Sequence, residues 1–120
     1  MAENILKSKS FVFAVRVVRV CQFLQTEKRE FILAKQLLRC GTAIGSMVRE
    51  AEYAESKSDF IHKLAIARKE ANETLYWVEL LTETDYLTRP QSTSIYNDGL
   101  ELLKLLTTSI KTAKANKQKD

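Results

Sequence analysis

The chain has 120 residues, of which 45% are hydrophobic and 28% are charged, and it contains three glycines and one proline. This length fits one domain and is too short for a multidomain enzyme, while the composition excludes wholesale disorder. So few glycines and prolines argue against a turn-rich β-sandwich and for a few long helices. No apolar run approaches a membrane span, and Arg16 and Arg19 interrupt the apolar N-terminal stretch, which argues against a signal peptide. We therefore expect a cytoplasmic protein with no membrane partner.

The net charge of +4 hides a segregation along the chain. Residues 1–49 have a balance of +6, residues 50–101 of −6 and residues 102–120 of +4. Such asymmetry is typical of a face that binds polyanions. It is equally typical of subunits that attract one another, positive face to negative face. A solvated surface with no partner is the third interpretation.

The first predicted helix covers residues 8–25. Its valines favour a strand by propensity, but Arg16, Arg19 and Gln22 recur every three residues, which makes one stripe on a helix and no face of a strand. The rest of this helix is apolar nearly all round, a surface too wide for its bundle neighbours to cover. We therefore expect a second copy to contact this helix, through Val12, Val15, Arg16, Val18 and Arg19.

The second predicted helix covers residues 29–54 and contains Gly41 and Gly45. Glycine inside a helix costs about 1 kcal/mol relative to alanine, so two glycines one turn apart indicate close approach by another backbone. Both glycines are assigned to the predicted interface between copies. A phosphate-binding loop is the sharper alternative, but no predicted strand precedes the glycines and no Lys-Ser/Thr pair follows them. The break before this helix, residues 25–30, is polar but contains neither glycine nor proline.

The third and fourth predicted helices cover residues 57–84 and 90–113. Ser56 followed by Asp59 is typical of a capping box at a helix start, and Pro90 suits the first turn of a helix. The basic segment 114–120 is predicted to be a frayed tail. Four helices joined by short links predict a single all-α domain, an antiparallel up-down-up-down four-helix bundle.

Residues that carry chemistry are sparse. Cys21 and Cys40 lie in helical pattern without a CxxC motif, which favours buried, reduced thiols. His62 is the one histidine, and its neighbours Asp59 and Lys63 favour a surface position. A di-iron site in a helical bundle needs two Glu-x-x-His pairs, and Asp59-x-x-His62 is a single incomplete match. We expect no catalytic residue, no metal, no cofactor and no small-molecule substrate.

Two carboxylates in the third predicted helix are candidates for ion pairs with arginines. Glu70 and Glu73 are predicted to pair with Arg16, Arg19 or Arg39, within the bundle or across a subunit boundary, where such pairs fix register. Trp77 follows them and is predicted to be a core or interface anchor. Glu70, Glu73 and Trp77 therefore join the predicted interface.

Residues 49–81, REAEYAESKSDFIHKLAIARKEANETLYWVELL, resemble a bacterial family called four helix bundle proteins, or 23S rRNA-intervening-sequence proteins. The segments SFVFAVRVVRVCQFL (residues 10–24) and REFILAKQLLRCGTAIGSMVREA (residues 29–51) agree with the family as well. The Ser-Lys-x-Asp-Phe and Lys-Glu-Ala-x-Glu-Thr blocks make the resemblance specific over about residues 8–87. Relatives often carry Ser-Ile-x-x-Asn near the end of the second helix, where this chain has Ala43 and Met47.

The resemblance implies a four-helix bundle that assembles into a ring, pentameric in characterised relatives. The family name records that the genes were found inserted in ribosomal RNA genes, and it gives no activity. Related accessory variability determinants of diversity-generating retroelements are barrel-like pentamers that bind nucleic acid and a reverse transcriptase.

Our functional hypothesis is a non-enzymatic, self-associating scaffold or adaptor. The alternative is an accessory protein that binds RNA or DNA through the phosphate backbone, with a reverse transcriptase or a ribonucleoprotein as partner. Alternating helices would bring several lysines to one end of the bundle, although acidic residues dilute the charge there and no aromatic residue is interleaved to stack bases. The candidate nucleic-acid-binding residues are Lys7, Lys9, Lys57, Lys63, Lys111, Lys114 and Lys117.

Overall fold

The computed structural model describes residues 2–119, with the side chains of residues 5–117. Its helices are α1 (Ala2–Glu27), α2 (Ile32–Glu52), α3 (Lys57–Glu83) and α4 (Arg89–Lys119). They form a rod of 52 × 21 × 19 Å in which α1 packs against α2 and α4, and α3 packs against the same two helices. The architecture is the all-α four-helix bundle that the sequence predicts, with α1 and α3 on one diagonal.

The core is a column of aliphatic side chains that runs along the axis of the rod. Each helix places one apolar stripe in it, at the three- and four-residue spacing that keeps side chains on one helical face. The aromatic ring of Phe13 is 2% exposed and lies in the same column. Fully or almost fully buried members are Val17 and Leu24 of α1, Leu37 and Ile44 of α2, Ala67 and Leu81 of α3, and Leu102 and Leu106 of α4.

The two glycines of α2 lie against α1 of the same chain. A Cβ added to Gly41 would lie 2.7 Å from both methyl groups of Val17, and one added to Gly45 would lie 3.3 Å from the carbonyl oxygen of Ser10. The expected close approach therefore occurs, and α1 is the element that makes it. Assignment of Gly41 to an interface between copies is wrong, because Gly41 is buried inside the protomer.

Two helices begin with reciprocal side-chain caps. The Ser56 hydroxyl accepts a hydrogen bond from the Asp59 N–H at 3.0 Å, and the Asp59 carboxylate accepts one from the Glu55 N–H at 3.1 Å. At the start of α4, the Thr88 N–H donates to the Gln91 side chain at 2.8 Å, and the Gln91 N–H donates to the Thr88 hydroxyl at 3.3 Å. The cap predicted at Ser56 is confirmed, and Thr88-x-x-Gln91 is a second capping box.

The α1–α2 turn and the α3–α4 turn lie at the same end of the bundle, and each contains a residue other than glycine in the left-handed backbone conformation. Arg29 has φ of 53° between α1 and α2, and Asp85 has φ of 68° between α3 and α4. Beyond Asp85, the N–H groups of Tyr86 and Leu87 both donate to the Leu81 carbonyl, the backbone closure that usually carries glycine at the left-handed position. The break between the first two helices therefore needs neither glycine nor proline.

Helix α4 continues to Lys119, six residues beyond the predicted end at residue 113. Residues 114–119 consist of lysine, alanine, asparagine and glutamine, and lysine, alanine and glutamine favour helix while nothing in the segment stops one. Lys117 also contacts the Ser58 hydroxyl at the start of α3. The prediction of a frayed tail is wrong for residues 114–119, and Asp120 lies outside the described residues.

Over the described part of the chain, none of the helices combines the length and the apolar character that a membrane span requires.

Candidate functional site

The outward side of α1 carries residues at alternating intervals of three and four, all of them exposed. This spacing is the one that places side chains along a helix–helix packing seam. The N-terminal half of the seam is apolar apart from Ser8, whereas the C-terminal half is polar. The seam, called the α1 seam below, consists of Ile5, Ser8, Val12, Val15, Arg19, Gln22 and Thr26.

Large apolar side chains in the α1 seam remain uncovered by the protomer. Ile5 is 46% exposed, Val12 57% and Val15 43%. Phe11 lies beside the seam, 56% exposed, with the Arg49 guanidinium 5.6 Å from its ring centroid. Large exposed apolar patches are a common feature of interaction sites in proteins.

The five valines of α1 divide into three environments. Val17 is completely buried against α2, and Val18 and Val20 are half-buried. Val12 and Val15 remain exposed. The protomer therefore shelters part of the apolar surface of α1 and leaves two of the five valines on its outside.

Arg16 lies outside the α1 seam and turns toward α4. Its guanidinium lies 2.5 Å from the Asp98 carboxylate, and two turns earlier in α1 Lys9 pairs with Glu101 at 3.2 Å. These contacts tie α1 to α4 within one chain. The prediction that Arg16 contacts a second copy is therefore not supported by its position, whereas Arg19 is exposed on the seam itself.

Glu70 and Glu73 pair with Arg39, one of the three arginines that the sequence left open. The Arg39 guanidinium lies 3.5 Å from Glu70 and also contacts Glu73, whose carboxylate accepts a hydrogen bond from the Trp77 indole N–H at 2.9 Å. Partial burial would lower the pKa of Arg39, but the Glu73 and Glu70 carboxylates outweigh it and raise that pKa. This cluster joins α2 to α3 inside the protomer.

The candidate lysines do gather at one end of the bundle, but several are neutralised there. Lys7 pairs with Glu52 at 3.3 Å and Lys63 pairs with Glu50 at 3.2 Å. Lys57 is exposed. Lys111 and Lys114 are exposed on the last turns of α4 and form no ion pair with any described residue.

An exposed aromatic residue stands at the same end. Tyr53, at the C-terminal cap of α2, is 86% exposed and lines a groove of about 570 Å³ together with Arg49 and Lys63. The expectation that no aromatic side chain lies among these lysines is therefore wrong in three dimensions, although Tyr53 is ten residues from Lys63 in sequence. Three carboxylates, those of Glu50, Glu55 and Asp59, line the same groove.

The groups able to do acid–base or nucleophilic chemistry are dispersed. His62 is exposed on α3, away from either cysteine. Burial, with a smaller contribution from Cys40, raises the pKa of the Cys21 thiol to about 12, and burial also raises the pKa of Cys40. A raised pKa disfavours the thiolate that a nucleophilic cysteine needs. Within the described residues, no three histidine, cysteine or acidic side chains cluster as metal ligands would.

Fold and surface together define a helical bundle whose most distinctive exposed feature is an apolar packing seam. The sequence matches the profile of the 23S rRNA-intervening sequence protein family over residues 2–108, and the chain belongs to that family. It is also similar to a solved structure, a protein of unknown function from the S23 ribosomal protein family of Bacteroides thetaiotaomicron. The two share 56% sequence identity and a TM-score of 0.91, over 92% of this chain and 99% of the other. No curated protein matches the sequence.

Proposed function

We propose that this protein is a non-enzymatic scaffold or adaptor that works as a ring of identical copies joined through the α1 seam. The observation that carries the proposal is the exposure of Val12 and Val15 at 57% and 43% on a face with packing-seam spacing. The resemblance to ring-forming relatives supports five copies. The cytoplasm is the expected location.

The chemistry of the α1 seam favours a helix of a second copy as its occupant. An apolar stripe at three- and four-residue intervals fits the side of another helix, because knobs on one helix enter holes on the other. Arg19 ends the apolar part of the seam with an exposed cation, and residues 50–101 as a whole have an excess of six negative charges, of which α3 itself contributes one. Attraction of that kind steers association and fixes register.

The proposal is tested by the mass of the protein in solution. Light scattering of the wild-type chain at micromolar concentration should give a multiple of 13.7 kDa, fivefold for a pentamer. The V12D/V15D variant should give the single-chain mass, since burying two carboxylates in an apolar contact is strongly unfavourable. Both positions are exposed in the protomer, so the helical circular dichroism should be unchanged.

A matched control places the same two charges elsewhere. Ser94 and Thr107 are exposed on α4, and S94D/T107D should keep the wild-type mass. A wild-type protein that stays monomeric at micromolar concentration would contradict the proposal, as would a V12D/V15D variant that assembles normally.

A second candidate function, backbone-directed binding of RNA or DNA, is favoured by the length of α4. Because α4 continues to Lys119, it carries Lys111, Lys114 and Lys117 on its last helical turns. A ring would repeat this basic end in every copy. Tyr53 supplies an exposed aromatic face at the same end, of the kind on which bases stack.

Gel-shift titration at low and moderate salt tests this candidate. The wild-type protein should bind RNA or DNA with affinity that falls steeply as salt rises, and K111Q/K114Q/K117Q should lose at least tenfold in affinity and show a shallower salt dependence. A control, K28Q/K35Q, removes exposed charges near the opposite end of the rod and should bind like wild type. Absence of any shifted species at low ionic strength would rule the candidate out.

A further inference from the structure

One end of the rod presents two large apolar side chains to solvent. Phe31 is 56% exposed and Ile32 76% exposed at the start of α2. Phe31 occupies the N-cap position, which usually carries a serine, threonine, aspartate or asparagine. The preceding residue takes over the capping role, because the buried Glu30 carboxylate accepts a hydrogen bond from the Ala34 N–H at 2.9 Å.

Because Glu30 supplies the capping hydrogen bond, the N-cap position does not need a polar side chain and is occupied by Phe31. The turn that leads into it is ordered, with Arg29 in the left-handed conformation and the Glu30 N–H bonded to the Leu24 carbonyl at 3.0 Å. Phe31 and Ile32, called the apolar knob below, are thus held outward by a closed turn.

The charges at this end divide into two halves. Beside the apolar knob, Lys28 and Arg29 are exposed and form no ion pair with any described residue. The other half is the α3–α4 turn, where Asp85 is exposed without an ion pair among the described residues. Glu83 in the same half is balanced by Arg89 at 3.2 Å. Among the exposed groups, the half with the apolar knob has Lys28 and Arg29 against Glu27, and the other half has Glu83 and Asp85 against Arg89, so the two halves have opposite balances of one charge each.

We propose that two copies of this chain dock end to end through this surface, related by a two-fold axis perpendicular to the rod. Such an axis places the α1–α2 turn of each copy on the α3–α4 turn of the other. The apolar knob then packs beside Tyr86, which is half-buried, and Arg29 meets Asp85 of the second copy. A two-fold contact requires a self-complementary surface, and the opposite charges of the two halves supply it.

An anionic membrane surface is the competing occupant, since an exposed apolar pair flanked by cations is typical of interfacial binding. The acidic half argues against it, because Asp85 and the apolar knob occupy the same end of the bundle and a flat anionic surface would repel that carboxylate. A second copy uses both halves, whereas a membrane uses one.

The end-to-end contact is independent of the α1 seam, which lies along the side of the rod. It involves few residues from each copy and falls below the size of a stable interface, so one pair of chains should associate weakly and reversibly. In a ring, every copy would present the same end on one face, and repetition would strengthen the pairing of two rings.

The test uses the V12D/V15D variant, so that side-to-side assembly does not obscure the result. Sedimentation and small-angle X-ray scattering across a hundredfold concentration range should show a shift from one chain to two, with the longest dimension rising to about twice 52 Å. Adding Ile32→Asp should abolish the shift. Tyr53→Asp, at the opposite end, is the matched control and should leave it unchanged.

Charge reversal tests the proposed orientation. Arg29→Glu alone and Asp85→Arg alone should each weaken pairing at least tenfold, and the double variant should restore it. Arginine already occupies the left-handed position of the first turn, so Asp85→Arg is compatible with the second. Failure of dimensions to double, indifference to Ile32→Asp, or sedimentation with anionic phosphatidylserine vesicles in place of self-association would each overturn the proposal.

Discussion

Gly41 shows how one missing methyl group sets the distance between two helices. Val17 is completely buried, is branched at Cβ and fills the space that an alanine side chain at position 41 would need. A branched side chain has little rotameric freedom in a helix. The contact therefore leaves α1 and α2 no inexpensive way to accommodate an added atom.

Gly41→Ala should destabilise the protein by about 1–2 kcal/mol, because the cost of overpacking exceeds the gain in helix propensity. In a Val17→Ala background both methyl groups are gone and only the Cβ of residue 17 remains close, at 3.2 Å, so the same Gly41→Ala change should cost less than in wild type by at least about 1 kcal/mol. Urea unfolding of the four proteins measures the cycle. Equal effects of Gly41→Ala in both backgrounds would contradict the contact.

Cys21 and Cys40 make stability depend on pH in the alkaline range. Burial raises the pKa of Cys21 from 9.0 to about 12 and moves that of Cys40 in the same direction. Above pH 9 the unfolded chain therefore binds fewer protons at these thiols than the folded chain does, so the free energy of unfolding falls as pH rises. The stabilisation is complete below pH 9 and, for Cys21, is lost progressively up to about pH 12.

At pH 10, ionisation of the Cys21 thiol in the unfolded chain should lower the free energy of unfolding by roughly 1 kcal/mol relative to neutral pH, and Cys40 should act in the same direction. Urea unfolding at pH 8 and pH 10 measures the loss. Lysines and tyrosines titrate in the same range, so the Cys21→Ala variant serves as the reference, and it should lose less stability than wild type over that interval. Identical losses in the two proteins would contradict the burial of Cys21.

At the scale of single elements, the turn between α1 and α2 carries an arginine where glycine is usual. A residue with a Cβ at positive φ costs about 1–2 kcal/mol relative to glycine. Replacing Arg29 with glycine removes this cost, but part of the gain in stability is offset because glycine gives the unfolded chain more conformational freedom. Arg29→Gly should therefore stabilise the protein by about 0.5–1 kcal/mol, whereas Arg29→Val should destabilise it. Thermal unfolding at low protein concentration distinguishes the two, and stabilisation by valine would rule out the left-handed turn.

Helix identity was predictable from sequence, while several helix ends were not. Arg16, Arg19 and Gln22 recur every three residues, which outweighs the strand propensity of the valines and identified α1 as a helix. The helix itself begins six residues before the predicted start at residue 8 and ends two residues after the predicted end at residue 25. The Thr88-x-x-Gln91 capping box was visible in the sequence and would have fixed the start of α4. The end of α4 was harder, because the sequence holds no terminating residue and the Lys117–Ser58 contact depends on tertiary structure.

At the scale of the whole molecule, the contacts that the sequence did not predict depend on how each helix is rotated relative to its neighbours. Periodicity identifies the apolar face of a helix, but it does not say which residues of other helices lie beside its remaining faces. Glu70 and Glu73 had three candidate arginines, and periodicity alone could not choose Arg39. Gly41 and Gly45 were correctly expected to admit a close neighbour, but sequence does not tell a neighbour in the same chain from one in another copy. Tyr53 caps the end of α2 and Lys63 lies in α3, so their proximity appears only once the two helices are packed together.

The Val17–Gly41 contact also fixes the rotation of α1 about its own axis. With Val17 lodged in the recess above Gly41, α1 has no freedom to roll about its own axis and draw Val12 and Val15 inward. Turning those two valines inward would move Val17 out of the recess at Gly41. The exposure of Val12 and Val15 is therefore a consequence of how α1 packs against α2. An added methyl group at position 41 would disturb both that packing and the orientation of the exposed valines.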